Sequence, residues 1–168
     1  QAARLARAHT AKQQAVSNLH AQIERLRAHL AATRPAPRVL VVDDHPEMAA
    51  LIADAIREET GVAVTVVTHA GEALTIARDA GHGDFVAAVI DLHLNHPTVN
   101  GVTVAAALKR GVAVFLVTGA MHSELAEAAR RVSAVGAFEK PLTDDMLRAM
   151  CVAIGERLAA TAPLAAVH

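Results

Sequence analysis

A chain of 168 residues, 53% of them hydrophobic, buries one core of ordinary size and is short for two full domains, so one domain plus an extension is expected. A net charge of −1 and only 2% aromatic residues give neither a basic footprint nor a base-stacking platform, which argues against nucleic acid as a partner. No apolar run approaches the roughly 18 residues that span a bilayer and no signal-peptide pattern opens the chain, so a cytoplasmic protein without direct membrane contact is expected.

Residues 1–33 lack Gly and Pro and are rich in Ala, Gln, Arg and Leu, a helix-forming composition. Leu5, His9, Lys12, Val16, Leu19, Ile23, Leu26 and Leu30 recur at alternating spacings of four and three, the seam of a coiled coil. Val16 and Ile23 at the a positions with Leu19 and Leu26 at d favour two parallel strands, so a parallel homodimer through residues 5–30 is expected. An amphipathic helix folded onto the following domain is the alternative. The chain opens on Gln1, which leads to the expectation of an excerpt from a longer protein.

Proline ends the helical pattern at "RPAPR", and residues 34–37 read as a linker. Short continuous apolar runs then alternate with helix-period segments. They are "VLVV", "MAALIADAI", "VAVTVV", "EALTIARDA", "FVAAVI", "GVTVAAALKR", "VAVFLV", "SELAEAARRV", "VGAF" and "DDMLRAMCVAIGERLAA". Strands that are apolar on both faces and separated by helices predict a parallel sheet covered on two sides. The expected fold is a doubly wound (βα)5, flavodoxin-like sheet in the order 2-1-3-4-5 over residues 38–161, with 162–168 as a tail.

Within the first helix of this domain, Met48, Leu51, Ile52, Ala55 and Ile56 form the predicted buried stripe. The last helix repeats the pattern through Leu147, Met150, Ile154 and Leu158, with Thr143 as its cap. The single cysteine, Cys151, lies on that stripe and reads as core packing.

Functional sites of open parallel sheets lie beyond the carboxyl ends of the strands. The first strand ends in Asp43 and Asp44, the third in Asp91, the fourth in Thr118 and the fifth in Lys140. The expected order makes these four strands consecutive neighbours, so three carboxylates, a hydroxyl and an ammonium converge. Two like charges about 4 Å apart repel by roughly 4 kcal/mol at an effective dielectric near 20. A hard dication such as Mg²⁺, held by carboxylates, water and phosphate oxygens, relieves that repulsion. His93 and His96 stand three apart but lack a third soft ligand in frame, so they read as loop histidines and not as a zinc pair. The coil histidines His9, His20 and His29 read as surface or seam positions.

With "VVDD", "VIDLHL", "LVTG" and "EKP" in this order, residues 38–161 resemble the receiver domain of two-component response regulators. The resemblance implies that Asp91 accepts a phosphoryl group from a histidine kinase or phosphotransfer protein. It also implies that Asp44 binds Mg²⁺ directly, Asp43 binds it mainly through water, and His93 contributes its main-chain carbonyl. Thr118 and Lys140 match the family's phosphoryl-binding hydroxyl and ammonium. On this reading the chain is a switch and not an enzyme, either part of a sensor or hybrid histidine kinase or a stand-alone dimeric regulator.

Two departures stand out. The loop "DLHLNHPTVNG" is about two residues longer than the family's usual form, with Pro97 displaced. Ala137 occupies the place of the family's aromatic switch residue, with Phe138 beside it. A haloacid-dehalogenase-type phosphatase gathers the same residue types around Mg²⁺, but it needs its nucleophile in a D-x-D after the first strand. The order here is reversed.

Overall fold

In the computed structural model, residues 2–33, 36–81, 83–119 and 122–161 are described, with the side chains of the first helix described over residues 11–29. The chain divides into two units, the N-terminal helix and the domain that starts at residue 36. Helix α1 runs Ala2–Thr33 without a break. Val16, Leu19, Ile23 and Leu26 are all exposed along it. Arg27 and Glu24 pair on its surface at 2.9 Å. The side chains of Leu5, His9 and Leu30 of the expected seam, the linker residues 34 and 35, and the tail 162–168 lie outside what is described.

The second unit alternates as the apolar runs require. Its elements are β1 (Arg38–Val42), α2 (Pro46–Thr60), β2 (Ala63–Val67), α3 (Ala70–Asp79), β3 (Phe85–Asp91) and α4 (Gly101–Ala107). They continue with β4 (Ala113–Thr118), α5 (His122–Val132), β5 (Gly136–Glu139) and α6 (Asp144–Thr161). The five strands form one sheet in the order β2-β1-β3-β4-β5. Every pairing is parallel. This is the flavodoxin-like arrangement, and helices cover both faces.

Alternate residues of each strand feed two cores. Val39, Val41, Val89, Phe115 and Val117 meet Ile52 and Ile56 of α2 and Met150 and Ile154 of α6. Leu40, Val42, Ala88, Ile90 and Leu116 meet Ala73 and Ala77 of α3, Val104 of α4 and Leu125 of α5. All seven residues of β3 are buried, as a central parallel strand demands. Cys151 is buried in the α6 core, and its thiol pKa is pushed up by burial and by Glu59.

One expectation needs correction. Leu51, assigned to the buried stripe of α2, is 50% exposed, and the buried face is Ala49, Ile52, Ala53 and Ile56. At 100° per residue, Leu51 stands about 150° from the centre of that face. Two alanines, too small to dominate a hydrophobicity pattern, let α2 lie close to the sheet. The α6 stripe is as expected, and Thr143 caps it by accepting the Met146 amide at 3.3 Å.

Candidate functional site

The carboxyl ends of β1, β3, β4 and β5 lie side by side, and each delivers its polar residue to one crevice. Asp43 and Asp91 are 1% and 4% exposed and Thr118 is fully buried, unusual values for polar side chains. Such burial requires partners. Lys140, at the end of β5, supplies them: its Nζ donates to Asp43 Oδ2 at 2.8 Å and to Asp91 Oδ2 at 2.6 Å. Burial by itself lowers the Lys140 pKa, but the hydrogen bonds and charges of the two aspartates outweigh it and hold the ammonium above its ordinary value.

Backbone amides take one oxygen of each acid. Asp43 Oδ1 accepts from the His45 amide at 2.9 Å, and Asp91 Oδ1 accepts from the His93 amide at 3.1 Å. Asp44 Oδ2 accepts from the Asn95 amide at 3.1 Å, which ties the long loop after β3 to the loop after β1. Each acid is therefore oriented before any ligand arrives.

The extra length of that loop is folded inward. Leu92, Leu94 and Val99 are buried, and His96 Nδ1 accepts the amides of Thr98 and Val99 at 3.2 and 3.0 Å. Asn100 caps α4 by accepting the Thr103 amide at 2.9 Å. Gly101 is required by close approach: a Cβ there would collide with the Asp91 carbonyl oxygen and lie 2.8 Å from Leu92 Cα. The start of α4 is thus pressed against the backbone of Asp91.

Two histidines near the crevice take places that residue type alone does not reveal. The His93 ring bridges, with Nδ1 3.1 Å from Thr118 Oγ1 and Nε2 3.0 Å from Glu124 Oε1 on α5. The His45 ring leans on the acidic pair, with Nδ1 3.1 Å from Asp44 Oδ1 and 3.4 Å from Asp43 Oδ1. Asp43, Asp44, His45 and Asp91 offer ligand atoms that all lie within 4.8 Å of one another, the group of this kind among the described residues. His96 is occupied by its own turn and does not join His93.

At β5, residues 137 and 138 face opposite sides of the sheet. Ala137 pairs with Leu116 and Phe138 with Val117. Phe138 packs into the core of α2 and α6, its ring against Gly136, where a Cβ would lie 3.0 Å from Phe138 Cε2. Phe138 is thus no substitute for an aromatic at position 137.

The sheet order sets the buried acids, the ammonium that crosses between them and the hydroxyl at the end of β4 together at one end of a flavodoxin-like sheet. The family model of the response regulator receiver domain matches residues 39–152, and the chain belongs to that family. Solved structures share the fold. A CheY-like response regulator receiver domain protein from Methanospirillum hungatei JF-1 is 24% identical with a TM-score of 0.61, covering 75% of this chain and 99% of its own. A sensor protein from Polaromonas sp. JS666 is 22% identical with a TM-score of 0.58, covering 75% and 98%. A response regulator protein from Burkholderia pseudomallei, solved with a phosphorylated aspartic acid, calcium ion and citrate, is 23% identical with a TM-score of 0.56, covering 76% and 75%. No curated protein matches the chain.

Proposed function

We propose that residues 38–161 form a phosphoaccepting receiver that takes a phosphoryl group on Asp91, with Mg²⁺, from a histidine kinase or phosphotransfer protein. The observation that carries this reading is the Lys140 ammonium between Asp43 and Asp91, side chains 97 and 49 residues away in sequence. Such an arrangement serves little purpose in a folding core, because three acids against one ammonium leave unbalanced charge.

A carboxylate oxygen of Asp91 attacks phosphorus in line, the bond from phosphorus to the donor breaks, and an acyl phosphate forms. The chain's contribution is position and charge, as phosphoryl transfer requires little else. Amide hydrogen bonds fix Asp91 and Asp43, while Lys140 stands ready to pair with phosphoryl oxygens in place of a carboxylate. The donor set is all oxygen apart from His45, which fits a hard divalent ion. Asp43, Asp44, Asp91 and the main chain of His93 would hold Mg²⁺, which supplies positive charge to the transferring group. Thr118 Oγ1 exchanges its His93 contact for a phosphoryl oxygen, and the link from His93 to Glu124 carries that exchange to α5.

The proposed division is a signalling coil at 1–33, a linker at 34–37, the receiver at 38–161 and a tail at 162–168. The exposed apolar seam of α1 supports a parallel homodimer as the route of transmission. No helix among the described residues is long and apolar enough to cross a membrane, which agrees with a cytoplasmic setting. The same reading serves a segment of a sensor or hybrid histidine kinase and a stand-alone regulator.

The test is incubation with a ³²P-labelled small phosphodonor and Mg²⁺. The parent protein is expected to gain one base-labile label, and Asp91→Asn none; equal labelling of the two proteins would refute the assignment.

A further inference from the structure

His45 follows the two acids of β1 directly and serves as the N-cap residue of α2, yet its side chain accepts no hydrogen bond from the helix. Its ring turns the other way, toward Asp44 Oδ1 at 3.1 Å and Asp43 Oδ1 at 3.4 Å. We propose that His45 Nδ1 is a direct ligand of the divalent cation beside Asp43, Asp44 and Asp91, and that it biases this site toward Mn²⁺ over Mg²⁺. The inference rests on the receiver reading of the acidic crevice and adds to it a ligand and a metal preference.

Three observations support it. Adjacent ligands of an octahedral ion with bonds near 2.1 Å lie about 3.0 Å apart, and the two ring-to-carboxylate separations fall at or just beyond that edge length. Lys140 takes Oδ2 of both Asp43 and Asp91, so the cation has to use the Oδ1 side, which is where the ring stands. Pro46 at the first helical position holds His45 in extended backbone, φ −96 and ψ 105, so the ring is placed by the chain before any ion arrives.

The ring is 74% exposed, which leaves room for water in the remaining coordination positions. The chemistry then selects the ion. Mg²⁺ gains little from an imidazole in place of water, whereas a nitrogen donor strengthens the hold on first-row divalent ions, and Mn²⁺ is the member that also suits carboxylates. Loss of the imidazole is expected to cost Mn²⁺ affinity roughly tenfold, in line with ligand-shell substitutions, and to change Mg²⁺ affinity far less.

The experiment uses the whole chain loaded with Mn²⁺, read by electron spin-echo envelope modulation, together with calorimetric titration of Mn²⁺ and Mg²⁺. Nitrogen modulation is expected in the parent and in His93→Ala, and absent in His45→Ala, which also loses its preference for Mn²⁺. Asp44→Ala is expected to lose both ions. Mn²⁺ that binds through Asp44 without nitrogen modulation, or with modulation unchanged in His45→Ala, overturns the ligand assignment and leaves the receiver reading intact. Failure of the parent to bind either ion overturns both.

Discussion

Lys140 decides whether two buried aspartates are tolerable at all. With Asp43 and Asp91 at 1% and 4% exposure, removal of the ammonium leaves two like charges facing each other with little water between them. Breaking such a pair costs about 3 kcal/mol, so Lys140→Met is expected to unfold at clearly lower urea concentration than the parent near pH 8. The pKa of Lys140 is raised in the folded chain, so its contribution is complete below the ordinary value of 10.5 and is lost as pH climbs through the folded value. The stability gap between parent and Lys140→Met should therefore close in strongly alkaline urea titrations; a gap constant with pH would deny Lys140 this role. Asp43, Asp44, Asp91, Thr118 and Lys140 were legible as a group because at most one residue separates each from the end of an apolar run. The parts played by His45 and Glu124 were not legible, since they depend on which way a ring turns and on how α5 lies over the sheet.

Among the elements, the loop from β3 to α4 governs the geometry of Asp91. Gly101 lets the first turn of α4 rest against the Asp91 carbonyl, and any side chain there must push the two apart. Gly101→Ala is expected to lose about 2 kcal/mol in urea unfolding, the usual cost of overpacking, and to lose phosphoryl uptake along with it. Full uptake in a destabilised Gly101→Ala protein would separate the loop from the site. The His93 ring links Thr118 to Glu124 and so binds the end of β4 to α5. Without it, Thr118 has one hydrogen bond fewer to give up if it turns to a phosphoryl oxygen. With one hydrogen bond contributing about 1 kcal/mol, His93→Ala should bind beryllofluoride roughly fivefold more tightly by calorimetry. Equal or weaker binding would remove His93 from the switching path. The sequence supplied the loop's unusual length but not its inward fold, which depends on Leu92, Leu94 and Val99 finding the α3–α5 core. The α2 stripe was misread at Leu51 for a related reason: Ala49 and Ala53 bury completely, yet carry a weak hydrophobic signal.

At the scale of the whole molecule, the order of strands follows from few facts. Five βα repeats with strands apolar on both faces allow a small number of doubly wound sheets, and polar residues at four strand ends pick the one that makes them neighbours. The N-terminal helix obeys a different logic, because its apolar residues find no cover within their own unit. Val16, Leu19, Ile23 and Leu26 are between 37% and 63% exposed. Replacing Leu19 and Ile23 together by Asp is expected to convert a dimer to a monomer in sedimentation equilibrium while Asp91 still accepts label. A parent protein that sediments as a monomer would remove the coil from the transmission route.

The parity of β5 has a consequence for how this domain speaks to others. A methyl group has no rotamers, so the outward surface at Ala137 looks the same to a visitor whatever stands on Asp91. If Asp91 carries an acyl phosphate, as proposed, news of it would have to leave this sheet edge as displacement of main chain, and an interacting protein that samples only side-chain orientation at position 137 would read nothing.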